Sequence, residues 1–156
     1  MDQKITFGYW GTRGRGQVSR LLLAYTGAVW EDLKYTEPEQ WFGGDREELG
    51  FDFPNLPYLI EGEYKLTEST AIQRYIIQRS NKKELLGKNI KDEGTVNCMI
   101  GILGDIKYEL FPLFFNPNWK EAVDQSLQKI KPKVDILQKY FGNKEFALGY
   151  ITLFDF

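Results

Sequence analysis

The segment Asp52-Phe53-Pro54-Asn55-Leu56-Pro57-Tyr58-Leu59 brackets an Asn-Leu pair with two prolines and runs into an apolar strand. Proline cannot donate to a ladder and drives its predecessor out of the helical region. Leu56 is therefore expected to be extended, with its backbone N–H and C=O unused by any helix. Ten residues after Tyr58, Glu68-Ser69 opens an amphipathic helix, whose unpaired N–H groups and dipole favour a carboxylate. A short first strand ends in Tyr9-Trp10. A strand-end phenol, an extended X-Pro edge and a helix N-terminus could each present polar groups to one small anionic peptide. Each also has a plainer reading: an aromatic pair packed on the core, a Pro-bounded turn, and a helix cap made by Thr67 or Ser69.

The elements that must position these groups follow from periodicity. Ile5 to Tyr9 reads as a strand, and Val18, Leu21, Leu22 and Tyr25 then recur at helical spacing up to Gly27, where the helix should stop. Val29 to Tyr35 alternates as a second strand, and Glu37 to Gly50 is a polar loop with a short helix. Pro57–Ile60 and Tyr64–Leu66 form a hairpin around Gly62, and Ala71, Ile72, Tyr75 and Ile76 make a helix starting near Thr67. The order is β-α-β-α-β-β-α, ending near Ser80. Asn81 to Asn89 is a polar linker. Beyond it lie two helices, one through Val96, Ile100, Leu103, Leu110 and Phe114, the other through Val123, Leu127, Ile130, Val134 and Leu137. Pro112 and Pro132 should kink these helices or mark their ends.

Composition removes several classes of function. A chain of 156 residues with 42% hydrophobic and 15% aromatic residues can bury a real core, as one domain or two small ones. Net charge of -2 argues against a nucleic-acid surface, so Arg13-Gly14-Arg15-Gly16 is a poor candidate for an RNA-binding box. With no histidine and one cysteine, Cys98, there is no Ser-His or Cys-His catalysis, no internal disulfide and no conventional zinc site. Cys98 is expected to be a buried packing residue. The N-terminus lacks a signal-peptide pattern and no stretch reaches membrane-spanning length, so a soluble cytoplasmic protein without membrane insertion is expected.

Gly8-Tyr9-Trp10, Arg13-Gly14, Arg20-Leu21-Leu22-Leu23, the Pro54–Leu59 run and Glu68-Ser69, in this order and spacing, resemble a mu-class glutathione transferase over essentially the whole chain. The resemblance implies an α/β thioredoxin-like glutathione-binding domain over 1–80, a linker over 81–89 and a helical domain over 90–156. Thr152-Leu153-Phe154-Asp155 matches the capping box that opens a further buried helix in that family. The chain ends at Phe156, so by this plan the all-α C-terminal domain is incomplete and its apolar helix faces lack cover.

By the same resemblance Tyr9 is catalytic, its phenol stabilising the glutathione thiolate. Leu56 and Pro57 pair with the cysteinyl part at a cis-proline turn, and Asn55 has a backbone-supporting role. Ser69 holds the γ-glutamyl carboxylate and Glu68 its ammonium, where mu-class proteins usually have Gln. Trp10, Trp41 and Arg46 are the candidates for the glycyl carboxylate. The family has a lysine past the second tryptophan; here Phe42-Gly43-Gly44-Asp45-Arg46 follows Trp41, and Arg46 serves if the loop carries one extra residue. Asp45 at that position would repel the ligand. Asp105 reaches the partner subunit's glutathione, or is simply an exposed helix acid. Phe115 lines the second-substrate pocket where many mu-class enzymes carry a tyrosine.

Two functions follow. One is a dimeric detoxification enzyme that conjugates glutathione, as substrate and without metal, to a hydrophobic electrophile. The other is a weakly active or inactive structural subunit of a larger assembly. A third and less favoured reading keeps glutathione as a cofactor for an isomerase or peroxidase. Fold alone does not separate the three, because function sits in the site and the second-substrate pocket.

Overall fold

The computed structural model describes residues 3–156 and divides into two compact units, one reaching Lys83 and taking in Phe156, the other Glu84–Asp155. The first is built on a four-stranded sheet: β1 (Ile5–Trp10), β2 (Trp30–Tyr35), β3 (Tyr58–Glu61) and β4 (Tyr64–Thr67), in the order β2-β1-β3-β4. β1 pairs parallel with β2 and antiparallel with β3, and β3 pairs antiparallel with β4. Ile5, Phe7 and Tyr9 alternate onto one buried face of β1.

Two helices, α1 (Gln17–Thr26) and α4 (Ser69–Arg79), pack on each other. They bury Leu22, Leu23, Ile72, Ile76 and Ile77 with the sheet residues Ile5, Phe7 and Leu59. Each such side chain contributes roughly 1.5–3 kcal/mol. Gly27 ends α1 in the left-handed region, as its position predicted. Between β2 and β3 the chain is more ordered than the expected loop. It forms the turns α2 (Pro38–Gln40) and α3 (Arg46–Glu48), joined by a π-type turn over Trp41–Asp45.

Register then fixes the site. Gly8 faces Tyr58, and Tyr58 faces Thr67, so β3 begins and β4 ends where β1 ends. β2 runs parallel to β1 and ends there as well. The segments after β1 and β2, before β3 and after β4 therefore share one edge of the sheet.

The second unit is helical. Asn89 caps α5 (Ile90–Leu110) by accepting from the N–H groups of Lys91 and Asp92 at 3.0 and 3.1 Å. α5 stops two residues before Pro112, in a 3-10 turn over Phe111–Phe115. α6 (Trp119–Phe141) instead runs through Pro132, which lies on an exposed face where solvent can satisfy the freed Gln128 carbonyl. Val96, Met99, Ser126 and Ile130 are buried, and Glu109 accepts from Ser126 at 3.1 Å and Lys129 at 2.9 Å, tying α5 to α6. Those donors, Lys129 first, hold the Glu109 carboxyl below its ordinary range.

Two segments show local structure, and one expectation, the burial of Cys98, is corrected. Within residues 81–89 a 3-10 turn at Lys83–Leu86 buries Leu85 and Leu86. The Thr152–Asp155 capping pattern forms: the Asp155 carboxylate accepts from Thr152 N–H at 2.7 Å and Thr152 Oγ1 at 2.8 Å over a 3-10 turn, Leu153–Asp155. Cys98 is exposed, not buried, on the wall of an apolar groove of about 480 Å³ shared with Met99, Ile102, Ile136 and Leu137. It lies between Val96 and Met99, which are buried, while the groove leaves its own side open.

Candidate functional site

Tyr9 stands at the end of β1, 5% exposed, with its ring against the 3-10 turn Gly14–Gly16. The approach demands glycine. A Cβ on Gly16 would lie 2.5 Å from Tyr9 Cδ1, and one on Gly14, whose φ is +33°, would lie 2.7 Å from Tyr9 Oη. This accounts for both glycines of Arg13-Gly14-Arg15-Gly16. The turn aims the Arg15 N–H at Tyr9 Oη, 3.0 Å away. A phenol that accepts this bond keeps its own hydrogen for another acceptor, and accepting polarises that hydrogen further.

Arg20 braces the same strand end. Its Nε donates to both Asp32 carboxylate oxygens at 3.0 and 3.1 Å, Nη1 to the Thr12 carbonyl at 2.7 Å and Nη2 to the Trp10 carbonyl at 3.1 Å. Helix α1, strand β2 and the backbone after Tyr9 are thus joined by one largely buried guanidinium.

Leu56 is buried and joined to Pro57 by a cis peptide bond. Its N–H enters no helix, as expected from sequence, and donates to Asn55 Oδ1 at 2.9 Å. Asn55 Nδ2 in turn donates to Glu68 Oε1 at 2.9 Å, so one side chain links the X-Pro edge to the start of α4. Among the described residues Glu68 is the one non-glycine with positive φ, at +71°. Such a conformation costs about 1–3 kcal/mol and persists where surrounding contacts enforce it. No side chain caps α4: Thr67 Oγ1 donates to the Phe53 carbonyl at 2.7 Å, and the expected caps from Thr67 or Ser69 do not form. The first N–H groups of an 11-residue helix are left for an anion at the shared sheet edge.

At the end of β2, aromatic rings pack together. Tyr35 meets Trp10 at 6.2 Å and Trp41 at 5.6 Å between centroids, and Trp41 stacks on Tyr58 at 6.0 Å. Trp41 is buried, Trp10 half-buried, and Phe42 lies over Trp10 at 6.2 Å. Tyr35 Oη donates to Asp45 Oδ2 at 2.6 Å and shares a 3.0 Å bond with Tyr58 Oη. Burial, then the Asp45 carboxylate, push the Tyr35 hydroxyl up, and burial does the same to Tyr58. Arg46 is half exposed, with the Glu47 carboxylate 3.9 Å away.

Tyr9, Trp10, Trp41, Arg46, Asn55, Leu56, Pro57, Glu68 and Ser69 are all carried by the segments that meet at this edge. Asp105 and Phe115 belong to the helical unit. Asp105 forms an ion pair with Lys133 of α6, and Phe115 is exposed in the turn after α5, its ring 5.3 Å from that of Phe111. Arg15 and Tyr35 were missed from sequence, and Asp45 was noted there only as a repulsive charge. Two glycines spaced one residue apart, seven and five residues past Tyr9, were the available signal for the first. Among the described residues no group of His, Cys, Asp or Glu is placed to hold a metal ion, and no helix is long and apolar enough to cross a membrane.

Comparison with known proteins gives the class of this sheet unit. Residues 5–78 match the family model described as glutathione S-transferase, N-terminal domain. The chain is 34% identical to glutathione S-transferase Mu 2 of Homo sapiens, over 97% of this chain and 72% of that protein. It is 32% identical to glutathione S-transferase 2 of Gallus gallus, over 97% and 71%. In fold it is similar to a nematode-specific glutathione transferase of C. elegans, with a TM-score of 0.83 and 28% identity over 98% of this chain and 76% of that one. It is also similar to a rat hPGDS complexed with a quinoline, with a TM-score of 0.81 and 26% identity over 97% and 75%. The chain belongs to the glutathione S-transferase family.

Proposed function

We propose that the chain conjugates reduced glutathione to hydrophobic electrophiles, with Tyr9 donating a hydrogen bond to the thiolate. The observation that carries the reading is the Tyr9 hydroxyl, which accepts from the Arg15 N–H and keeps its own proton to give. A free thiol has a pKa near ~8.5, and lowering it by two units needs roughly 2.7 kcal/mol. One charge-assisted hydrogen bond supplies roughly 1.5–3 kcal/mol, which is enough. The thiolate sulfur then forms a bond to the electrophilic carbon, and the leaving group departs with its electron pair.

Sheet order supports an order of subsites. From β4 through β3 and β1 to β2 is three strand spacings, roughly 14 Å, a span that an extended tripeptide with its terminal carboxylates can match. The uncapped N-terminus of α4, with Ser69, takes the γ-glutamyl carboxylate, and Glu68 takes its ammonium. Tyr9 and the Leu56-Pro57 edge take the cysteinyl residue, whose carbonyl replaces Asn55 Oδ1 on the Leu56 N–H. Trp10, Trp41 and Arg46 take the glycyl carboxylate. In a homodimer Asp105 reaches the partner subunit's glutathione, and Phe115 lines the electrophile pocket without a hydroxyl. A cytoplasmic detoxification role, and the domain division 1–80, 81–89 and 90–156, belong to the same reading.

A structural-subunit reading is favoured by one observation: Leu127, Val134 and Ile136 of α6 are exposed. Calorimetric titration of the folded chain with reduced glutathione separates the two. Micromolar to low-millimolar binding, with turnover of an activated aryl halide that falls in Tyr9→Phe, supports the transferase. No binding by a folded chain favours the subunit.

A further inference from the structure

One residue more than an α-helical turn requires separates Trp41 from Arg46. The Arg46 N–H donates to the Trp41 carbonyl, an i to i+5 bond. In an α-helix the residue closing on that carbonyl would be Asp45. The π-type turn thus puts a base where an uninterrupted α-turn would put an acid. Asp45 is held elsewhere: the Tyr35 hydroxyl binds Oδ2 at 2.6 Å, and Tyr35 is itself 2% exposed and bonded to Tyr58. Tyr35 remains a donor at any ordinary pH, since burial and the neighbouring carboxylate both favour its neutral form. Arg46 has no comparable tether. Its Glu47 neighbour is 3.9 Å away, beyond hydrogen-bond length, and 80% exposed.

We propose that the π-type turn and the Tyr35–Asp45 bond together set the charge at the glycyl end of the glutathione site, presenting Arg46 and withdrawing Asp45. This rests on the glutathione reading above and extends it. Tyr35 is a positioning residue in this account, and Asp45 is a latent repulsive charge that a single hydroxyl keeps away from an anionic ligand. The neutral ring cluster around Tyr35, Trp41 and Tyr58 gives the bond a dry, rigid base.

The test compares two ligands, reduced glutathione and its glycyl ethyl ester, in which that carboxylate is neutral. The wild-type chain should bind glutathione roughly tenfold more tightly than the ester, and Arg46→Gln should abolish that preference. Tyr35→Phe should raise Kd and KM for glutathione roughly fivefold, with kcat and ester binding unchanged. Asp45→Asn in the Tyr35→Phe background should restore glutathione binding, because the freed side chain then carries no charge. If Tyr35→Phe weakens both ligands alike, or Asp45→Asn does not rescue it, Tyr35 is merely structural and the proposal falls. Equal wild-type affinity for the two ligands overturns the proposal and leaves the glutathione reading standing. Failure of the folded wild-type chain to bind either ligand removes both.

Discussion

Replacing Gly16 by alanine puts a methyl group where the Tyr9 ring already lies. The new Cβ would stand 2.5 Å from Tyr9 Cδ1, 2.8 Å from Cγ and 3.1 Å from Cβ. Carbon atoms pack at about 3.5–4.0 Å, so ring and turn must separate by roughly 1 Å. Tyr9 is 5% exposed and backed by the core, so the 3-10 turn yields more readily than the ring. Moving the turn by that amount carries the Arg15 N–H from 3.0 Å out of hydrogen-bond range of Tyr9 Oη. Overpacking of this kind costs about 1–3 kcal/mol of stability. A misplacement near 1 Å at reacting groups costs on the order of 10²-fold in rate. Gly16→Ala should therefore remain folded with a lower melting temperature, bind glutathione within a few-fold of wild type, and lose most of its kcat for conjugation. Gly101→Ala, with open space around its Cβ in α5, is the control. Wild-type kcat in a folded Gly16→Ala protein would refute the claim that the turn holds the Tyr9 hydroxyl in working geometry.

Two further predictions concern stability and reactivity. Tyr75, which donates to Glu61 Oε2 at 2.7 Å, is pushed up to about 12 by burial and then by that carboxylate. An unfolded tyrosine ionises near pH ~10, so this contribution is complete below that pH and is lost as pH rises through 12. Alkaline denaturation should therefore begin at higher pH in Tyr75→Phe relative to its own neutral-pH stability; unchanged curvature of stability against pH would exclude Tyr75 as a source. Cys98, exposed in the α5–α6 groove, should react stoichiometrically with an aromatic disulfide reagent in the native chain. Protection until denaturant is added would show that the groove is covered in solution.

What the sequence disclosed was local or periodic. Pro54 and Pro57 restrict Leu56 through bonded geometry, Gly27 marks a left-handed helix end, and the apolar spacing of α1, α4 and α6 needs no partner to be recognised. What it concealed depends on contacts between distant residues. The π-type turn at Trp41–Asp45 is stabilised by Tyr35, ten residues earlier than Asp45, and no local preference announces it. The Leu56 N–H is claimed by Asn55, which is itself oriented by Glu68 thirteen residues on. Cys98 reads as core because its type is usually buried, and only tertiary packing decides that the groove beside it stays open. The candidate site was thus legible as a set of residues at one sheet edge. Which atoms are engaged, and that Tyr35 binds the Asp45 carboxylate, were not.

The most direct test of the central claim is the thiol pKa of bound glutathione, followed by ultraviolet absorbance of the thiolate, in wild type and Tyr9→Phe. The account predicts a wild-type value roughly two units below the free thiol and a return most of the way toward ~8.5 in the variant, with glutathione affinity little changed. The same bound pKa in both proteins would contradict it, and would mean that the Tyr9 hydroxyl does not hold the sulfur.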